Sequence, residues 1–408
     1  MSPAELIGYT LPGGFRIARH LATGGFAWVF EAHTPEGAAC AIKIPHMHDQ
    51  QGLKRFVREI KVLRELPRSP YCVRYVGDGL LPNGLPFVAM ELVNGRTLSS
   101  ILQTGARWEV GAACAIGTQL CAALRGMHRL GLANRDVNPN NVMLTVDNFV
   151  KIIDFGLVKD AQGLLELMEE EDILEGHDFA ENLDAGLVLG TLDYVAPEQL
   201  SDSRAELVEH TRTDTWSDVY SVGVILWQMI TGRKLFHLDM SGSDQREVAR
   251  RVLDYIEERV NTDVDALSRP PELPKPLFEI LRRALRLDPR RRYRSAMELG
   301  RELSHYLETG EAEEEEEPEL TQAVRLEDFL AALDAAGEDE DEKTVVGGAP
   351  LERVRILSSI PVELDFDDET SIGEVHIPAH DPTPKETGDP DLDAILAELD
   401  AEARRSKP

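Results

Sequence analysis

The 408 residues leave room for one large domain or two to three ordinary ones, and an apolar fraction of 42% can build a substantial core. The formal net charge of −30 is unevenly spread. Residues 307–408 hold 31 acidic and 8 basic side chains, a net of −23, which leaves −7 for the first 306 residues. Nucleic acid and anionic membrane surfaces would be repelled by such a chain, so neither is expected as its main partner.

Cys40, Cys72, Cys114 and Cys121 form no CxxC pair and have no His at zinc-finger spacing, so buried reduced thiols are expected. The opening MSPAELIGYT lacks the basic and apolar regions of a signal peptide. No uninterrupted apolar run reaches about 18 residues. These features predict a cytoplasmic protein without a transmembrane helix.

In chain order, the first ninety residues read as strands punctuated by turns. FRIARHL and WVFEAHT alternate around a Gly-Gly pair, and ACAIKI and LPFVAMELV are short β-like runs. Between them LKRFVREIKVLREL sets Phe56, Ile60 and Leu63 on one face of a helix. After residue 95 the pattern turns helical. EVGAACAIGTQLCAALRGMHRLG predicts a long apolar helix ending at a Gly. DVYSVGVILWQMITG predicts a buried helix, and KPLFEILRRALRLDP an amphipathic one stopping at a proline. A small β-rich part before a larger helical part predicts two lobes with a cleft between them. The globular region is expected over residues 9–306. Residues 307–408 carry the low-hydrophobicity, high-charge signature of disorder, interrupted by short amphipathic helices near 320–336 and 390–405.

Several stretches carry residues suited to holding phosphate and metal. LATGGFAWVF, from Leu21 through Ala22, Thr23, Gly24 and Gly25, is a Gly-rich turn where backbone amides could approach phosphates. On its own it reads equally as a plain hairpin. Lys43 ends CAIK and Glu59 follows 16 residues later; they are either unrelated surface charges or a pair that fixes the ammonium over phosphates. In ANRDVNPNN, residues 133–141, Asp136 is placed to orient an attacking hydroxyl. Asn141, and Asp154 of DFG, could give oxygen ligands to a metal.

Taken together, GGF, AIK, RDVNPNN, DFG, GTLDYVAPE, SDVYSVG and DPRRRY resemble, in this order and spacing, a eukaryotic-type protein kinase domain over about residues 9–306. RDVNP with a long acidic tail resembles the soluble bacterial serine/threonine type. The resemblance implies an α+β bilobal protein kinase fold, ATP and Mg2+ as cofactors, and protein substrates. It implies Asp136, Lys43 and Asn138 as catalytic residues and Asn141 and Asp154 as metal ligands. Nucleotide would be bound by Leu21, Ala22, Thr23, Gly24 and Gly25 together with Lys43 and Glu59. Val29, Ala41 and Met143 would enclose adenine, Met90 would stand as gatekeeper, and Glu91 and Val93 would offer the hinge backbone. Glu198 would pair with Arg292, and Asp218 would hold the catalytic-loop backbone. The residue pair Gly190-Thr191 favours Ser/Thr acceptors.

The chain departs from the family at several points. Ala22 and Ala27 replace outer glycines of the loop, which predicts a stiffer loop and weaker ATP binding. Asn134 stands where a His usually lies beneath the DFG Phe, here beside Phe155, Leu63 and Tyr75, and its amide must find partners. Asn138 replaces a Lys near the γ-phosphate, which predicts a loss on the order of 10²-fold in rate. Residues 157–189 contain no Ser, Thr or Tyr and carry ten carboxylates. Either these stand in for a loop phosphate against Arg135, or they are a solvated insertion.

In the tail, DEKTVVG and DDETSIG share a frame, which makes Thr344 and Thr370 candidates for phosphorylation and for reading by a forkhead-associated module; chance similarity in an acid-rich stretch gives the same pattern. The expected function is a serine/threonine protein kinase of reduced rate. The alternatives are a pseudokinase scaffold and, fitting less well, a small-molecule phosphotransferase.

Overall fold

The computed structural model describes residues 2–24, 26–46, 50–105, 107–155, 192–200, 214–236, 238, 245–262 and 264–312. The acidic tail with its two expected helices, Thr344, Thr370, the segment 157–189, Gly25 and Thr191 lie outside them.

After a four-residue helix α1 (Pro3–Leu6), strands β1 (Arg16–Thr23), β2 (Ala27–His33), β3 (Ala39–Pro45), β4 (Tyr75–Leu80) and β5 (Pro86–Glu91) form one antiparallel sheet in the order β1-β2-β3-β5-β4. Side-chain alternation splits this sheet between two cores. Phe30, Cys40, Ile42, Ile44, Phe87 and Ala89 point to an outer cluster shared with Leu11, Phe15 and Ile17. Ala41, Val88 and Met90 belong to the other cluster, beneath helix α2 (Gln50–Glu65), with Phe56, Ile60 and Leu63. The register sets Val29 opposite Lys43 and Ala41 opposite Met90. Directly paired residues share a face, so Val29, Ala41, Lys43 and Met90 all stand on the α2 side.

The chain then leaves β5 and enters a second sheet of β6 (Gly95–Thr97), β7 (Val142–Thr145) and β8 (Val150–Ile152), in that order. Gly95 permits the close approach, since a Cβ there would lie 2.3 Å from the Leu144 carbonyl oxygen. The second lobe is helical: α3 (Leu98–Leu102), α4 (Val110–Arg129), α5 (Asp214–Thr231), α6 (Gln245–Asn261), α7 (Lys275–Ala284) and α8 (Ala296–Thr309). The whole is the expected bilobal α+β architecture. Helix α4 lies at its centre against α5 and α8, closely at Gly117, where a Cβ would meet Leu226 and Leu303 at 2.9–3.0 Å. Among the described residues α4 alone is long and apolar enough to cross a membrane, and 72% of that stretch is buried inside the fold. Its apolarity is that of a core helix.

One boundary differs from expectation. The sequence periodicity carries α7 to Pro289, but the helix ends at Ala284, and Pro289 opens a separate short helical turn, Pro289–Arg291. Leu285, 2% exposed, turns into the core against Gly223, and the chain leaves the helix axis to bury it.

Candidate active site

Lys43 gains its place from strand pairing, Glu59 from the inner face of α2, and Asp154 from the end of β8. Lys43 Nζ lies 2.7 Å from Glu59 Oε1 and 3.1 Å from Asp154 Oδ2. Burial opposes the ammonium charge, but Asp154 and Glu59 outweigh it and hold the Lys43 pKa above the ordinary lysine range. Of the two sequence readings of Lys43 and Glu59, the pair is the one found.

The strand that delivers Asp154 is fixed from below. Gln119, fully buried on α4, accepts from the Val150 N–H at 2.8 Å and donates to the Asn148 carbonyl at 3.4 Å. Lys151 on β8 reaches the Glu91 carboxylate at 2.8 Å and donates to the Cys72 carbonyl at 3.4 Å. Glu91 also accepts from the Arg74 N–H at 3.2 Å, so the end of β5 is tied to the strand before Asp154.

The loop 134–141 is built around two acids. Asp218 of α5, 0% exposed, accepts from the backbone N–H groups of Asn134 (2.9 Å) and Arg135 (2.8 Å), with His128 Nε2 at 2.8 Å. Two successive amides can aim at one carboxylate because Arg135 is left-handed, φ 61°. Asp136 accepts from Asn138 Nδ2 at 2.8 Å on Oδ1 and from Asn141 Nδ2 at 2.6 Å on Oδ2. Both amides also donate to its carbonyl, at 3.1 and 2.9 Å. Asn138 Oδ1 accepts the Asn140 N–H at 2.9 Å, which turns the whole Asn138 amide into the loop.

Asn134 finds the partners a buried amide requires. Its Nδ2 donates to the Asp154 carbonyl at 3.1 Å and its Oδ1 accepts the Asp136 N–H at 3.1 Å. It thereby links Asp136 to Asp154; Phe155, Leu63 and Tyr75 all belong to the large buried core. Glu198 and Arg292 form a buried fork–fork pair at 2.6 and 2.7 Å, and Gln199 Nε2 donates to the Arg135 carbonyl at 3.0 Å.

The other described candidates lie on β1, β2, β3, β5 and β7 and on the segments that follow β1 and β5. Leu21, Ala22 and Thr23 complete β1, and the Gly24 N–H donates to the Ala27 carbonyl at 2.8 Å. Val29, Ala41 and Met90 share the face of Lys43, Glu91 ends β5, and Val93 follows it. Met143 stands on β7, in register with Thr97 and Lys151. Arg64, Asp78, Gln119, His128, Lys151 and Gln199 were not singled out in the sequence. Their partners are distant in the chain and only the fold brings them together.

A β-sheet lobe and a helical lobe, with Lys43, Glu59, Asp136, Asn141 and Asp154 at their junction, define a domain of the protein kinase class. The protein kinase domain profile matches residues 15–302, and the chain belongs to that family. Three relatives show the extent of likeness. PknA of Mycobacterium tuberculosis, named a serine/threonine-protein kinase, is 31% identical over 303 residues, 72% of this chain and 61% of its own length. A Bifidobacterium longum protein named "Probable serine/threonine-protein kinase pknA2" is 31% identical over 245 residues, 58% of this chain and 28% of its own length. PknL of M. tuberculosis, also named a serine/threonine-protein kinase, is 30% identical over 255 residues, 62% of this chain and 55% of its own length. The chain thus spans between about a quarter and three-fifths of the curated relatives it matches.

Proposed function

We propose that the chain is a bacterial serine/threonine protein kinase that transfers the γ-phosphoryl group of ATP to Ser or Thr hydroxyls of protein substrates in signal transduction. The observation that carries this reading is the simultaneous contact of Lys43 with Glu59 and Asp154, beside an Asp136 carboxylate held by two amides. Phosphoryl transfer asks a protein mainly to position reactants and stabilise charge. Lys43 holds phosphate oxygens, and Asp136 orients the acceptor hydroxyl and takes its proton as the new P–O bond forms and the bond to the departing diphosphate breaks.

Asp154 and Asn141 offer hard oxygen donors suited to Mg2+. Asp154 and Asn141 would hold the ion, which would supply positive charge against the phosphate oxygens. Leu21 to Gly25 would cover the phosphates, Val29, Ala41 and Met143 would enclose adenine beside Met90, and the backbone of Glu91 and Val93 would meet its edge. The names of the relatives support Ser/Thr as acceptors. The scaffold alternative is disfavoured because the five residues the chemistry needs are all present and converge.

The proposal takes the cytoplasm as the site of reaction, in keeping with four buried free thiols. It includes self-phosphorylation at Thr344 and Thr370 and their reading by a forkhead-associated module, to be tested by phosphopeptide mapping. The activity itself is tested with radiolabelled ATP, Mg2+ and a mixed protein acceptor, using the wild type, Asp136→Asn and Asn138→Lys. Label on Ser or Thr, lost with Asp136→Asn, is the expected result. No label from the wild type on itself or on the acceptor would leave the scaffold reading standing.

A further inference from the structure

The contact between Lys43 and Glu59 holds only while α2 is seated against the sheet, since Glu59 rides on that helix. The apolar contacts of Phe56, Ile60 and Leu63 give α2 a buried face, but they are non-directional and tolerate a slide or a turn. A stricter restraint lies one turn beyond Glu59. Arg64 Nε and Nη2 donate to Asp78 Oδ1 and Oδ2 on β4, at 2.6 and 2.7 Å. The Tyr75 hydroxyl donates to the same Oδ1, and the Arg64 guanidinium carbon lies 6.0 Å from the centre of the Tyr75 ring. Two parallel bonds are kept only in one plane and at one distance, so the fork fixes both the height and the rotation of α2. The Asp78 side chain is 0% exposed, and withdrawing the helix would strip a buried carboxylate of its cation.

In protein kinases the Lys–Glu pair must be in place for transfer, and phosphate on the segment after DFG is one means of placing it. This chain offers that route little. Residues 157–189 contain no Ser, Thr or Tyr, and from Asp154 to Glu198 the only side-chain hydroxyls are those of Thr191 and Tyr194. Tyr194 is 6% exposed and its hydroxyl donates to Gln228. Lys43 and Glu59 are nevertheless paired, and Arg64, Asp78 and Tyr75 all belong to the same lobe as that pair.

We propose that Arg64, Asp78 and Tyr75 are positioning residues that set Glu59 against Lys43 from within the β-sheet lobe, so that transfer needs no phosphate on residues 155–198. The inference rests on the proposed kinase reading.

Initial rates of the full chain on myelin basic protein with MgATP test it, before and after treatment with a protein phosphatase that is then removed. Mass spectrometry confirms that residues 155–198 of the treated chain carry no phosphate. The treated chain should work within about twofold of the untreated one and without a lag, since no phosphate has to be restored. Asp78→Asn, which keeps the shape of the side chain, should lower kcat about tenfold or more by misplacing Glu59. In a Glu59→Gln background the same change should cost less than about twofold, because a residue that acts through Glu59 then has nothing to act on. Tyr75→Phe should show a smaller loss with the same dependence on Glu59, and decides the matter if Asp78→Asn does not fold. A lag or a larger fall after phosphatase treatment overturns the inference alone. So does an effect of Asp78→Asn or Tyr75→Phe that is absent, or equal in the two backgrounds. A wild type that transfers nothing, treated or untreated, overturns the kinase reading and this inference with it.

Discussion

Asn138 stands where the family resemblance implies a lysine beside the γ-phosphate, yet its amide faces inward. Its Nδ2 reaches the Asp136 carboxylate and carbonyl, and its Oδ1 takes the Asn140 N–H. The role left for it is to hold one oxygen of Asp136 while Asn141 holds the other. Asn138→Ala removes a donor to a charged group and should lower turnover on the order of 10- to 10²-fold, the kinetic equivalent of about 1.5–3 kcal/mol. The check is kcat at saturating ATP; an unaltered kcat would show that this amide does not hold Asp136 in its working position. Asn134 raises the same question with a different answer. A buried amide without partners would cost about 1–3 kcal/mol, but Asn134 bonds to both Asp154 and Asp136. The replacement of an imidazole by an amide has left a link between two site residues.

Helix α2 carries Glu59, so whatever sets the helix sets the Lys43 contact. One turn beyond Glu59, Arg64 forms a bidentate pair with Asp78 of β4, at 2.6 and 2.7 Å, and the Tyr75 hydroxyl bonds to the same carboxylate. The Asp78 side chain is 0% exposed and that of Arg64 19%. Arg64→Met would leave that carboxylate buried without its cation. The expected loss is about 2–4 kcal/mol, toward the low end of a broken buried pair because Arg64 keeps one edge in solvent. Urea unfolding measures it; a midpoint equal to wild type would mean that the pair does not fasten α2. The element itself was legible, since Phe56, Ile60 and Leu63 recur at helical spacing, and so were the strands, the buried α5 and the catalytic loop. The end of α7 was not, because Leu285 continues the apolar period although the chain has left the helix. Lys151 was not legible either. It is a charged residue in an ordinary strand pattern, and what makes it notable is a partner far away in sequence. Local periodicity encodes which face is buried; it does not encode which distant carbonyl or carboxylate will meet a buried charge.

At the scale of the whole molecule, one core runs from α2 through the cleft floor into α4, α5 and α8, and a second lies outside the five-stranded sheet. The four thiols are buried in these cores. Burial pushes Cys40, Cys72 and Cys114 from 9.0 up to about 12, and Cys121 further up. The folded chain thus keeps protons that the unfolded chain releases. Well below pH 9 the thiols are protonated in both states, and between about 9 and 12 only those of the unfolded chain ionise, so stability should fall as pH rises through that window. Comparing urea midpoints at pH 7.5 and pH 10 tests this, and a midpoint that does not fall would contradict the burial of the thiols. The joint between the lobes has its own tie, Lys151 to Glu91, which fastens the strand before Asp154 to the segment that follows β5. The contacts of Lys43 and Asp136 carry the proposal made above, that the residues meeting at the cleft perform phosphoryl transfer. Initial rates of Mg2+-dependent transfer and ATP affinity, measured side by side on wild type and Asp136→Asn, test it most directly. The variant's rate should be lower by on the order of 10²–10⁴, as loss of a positioned acid–base group gives, with ATP affinity retained. Equal rates in the two proteins, or ATP bound by both and transferred by neither, would contradict it.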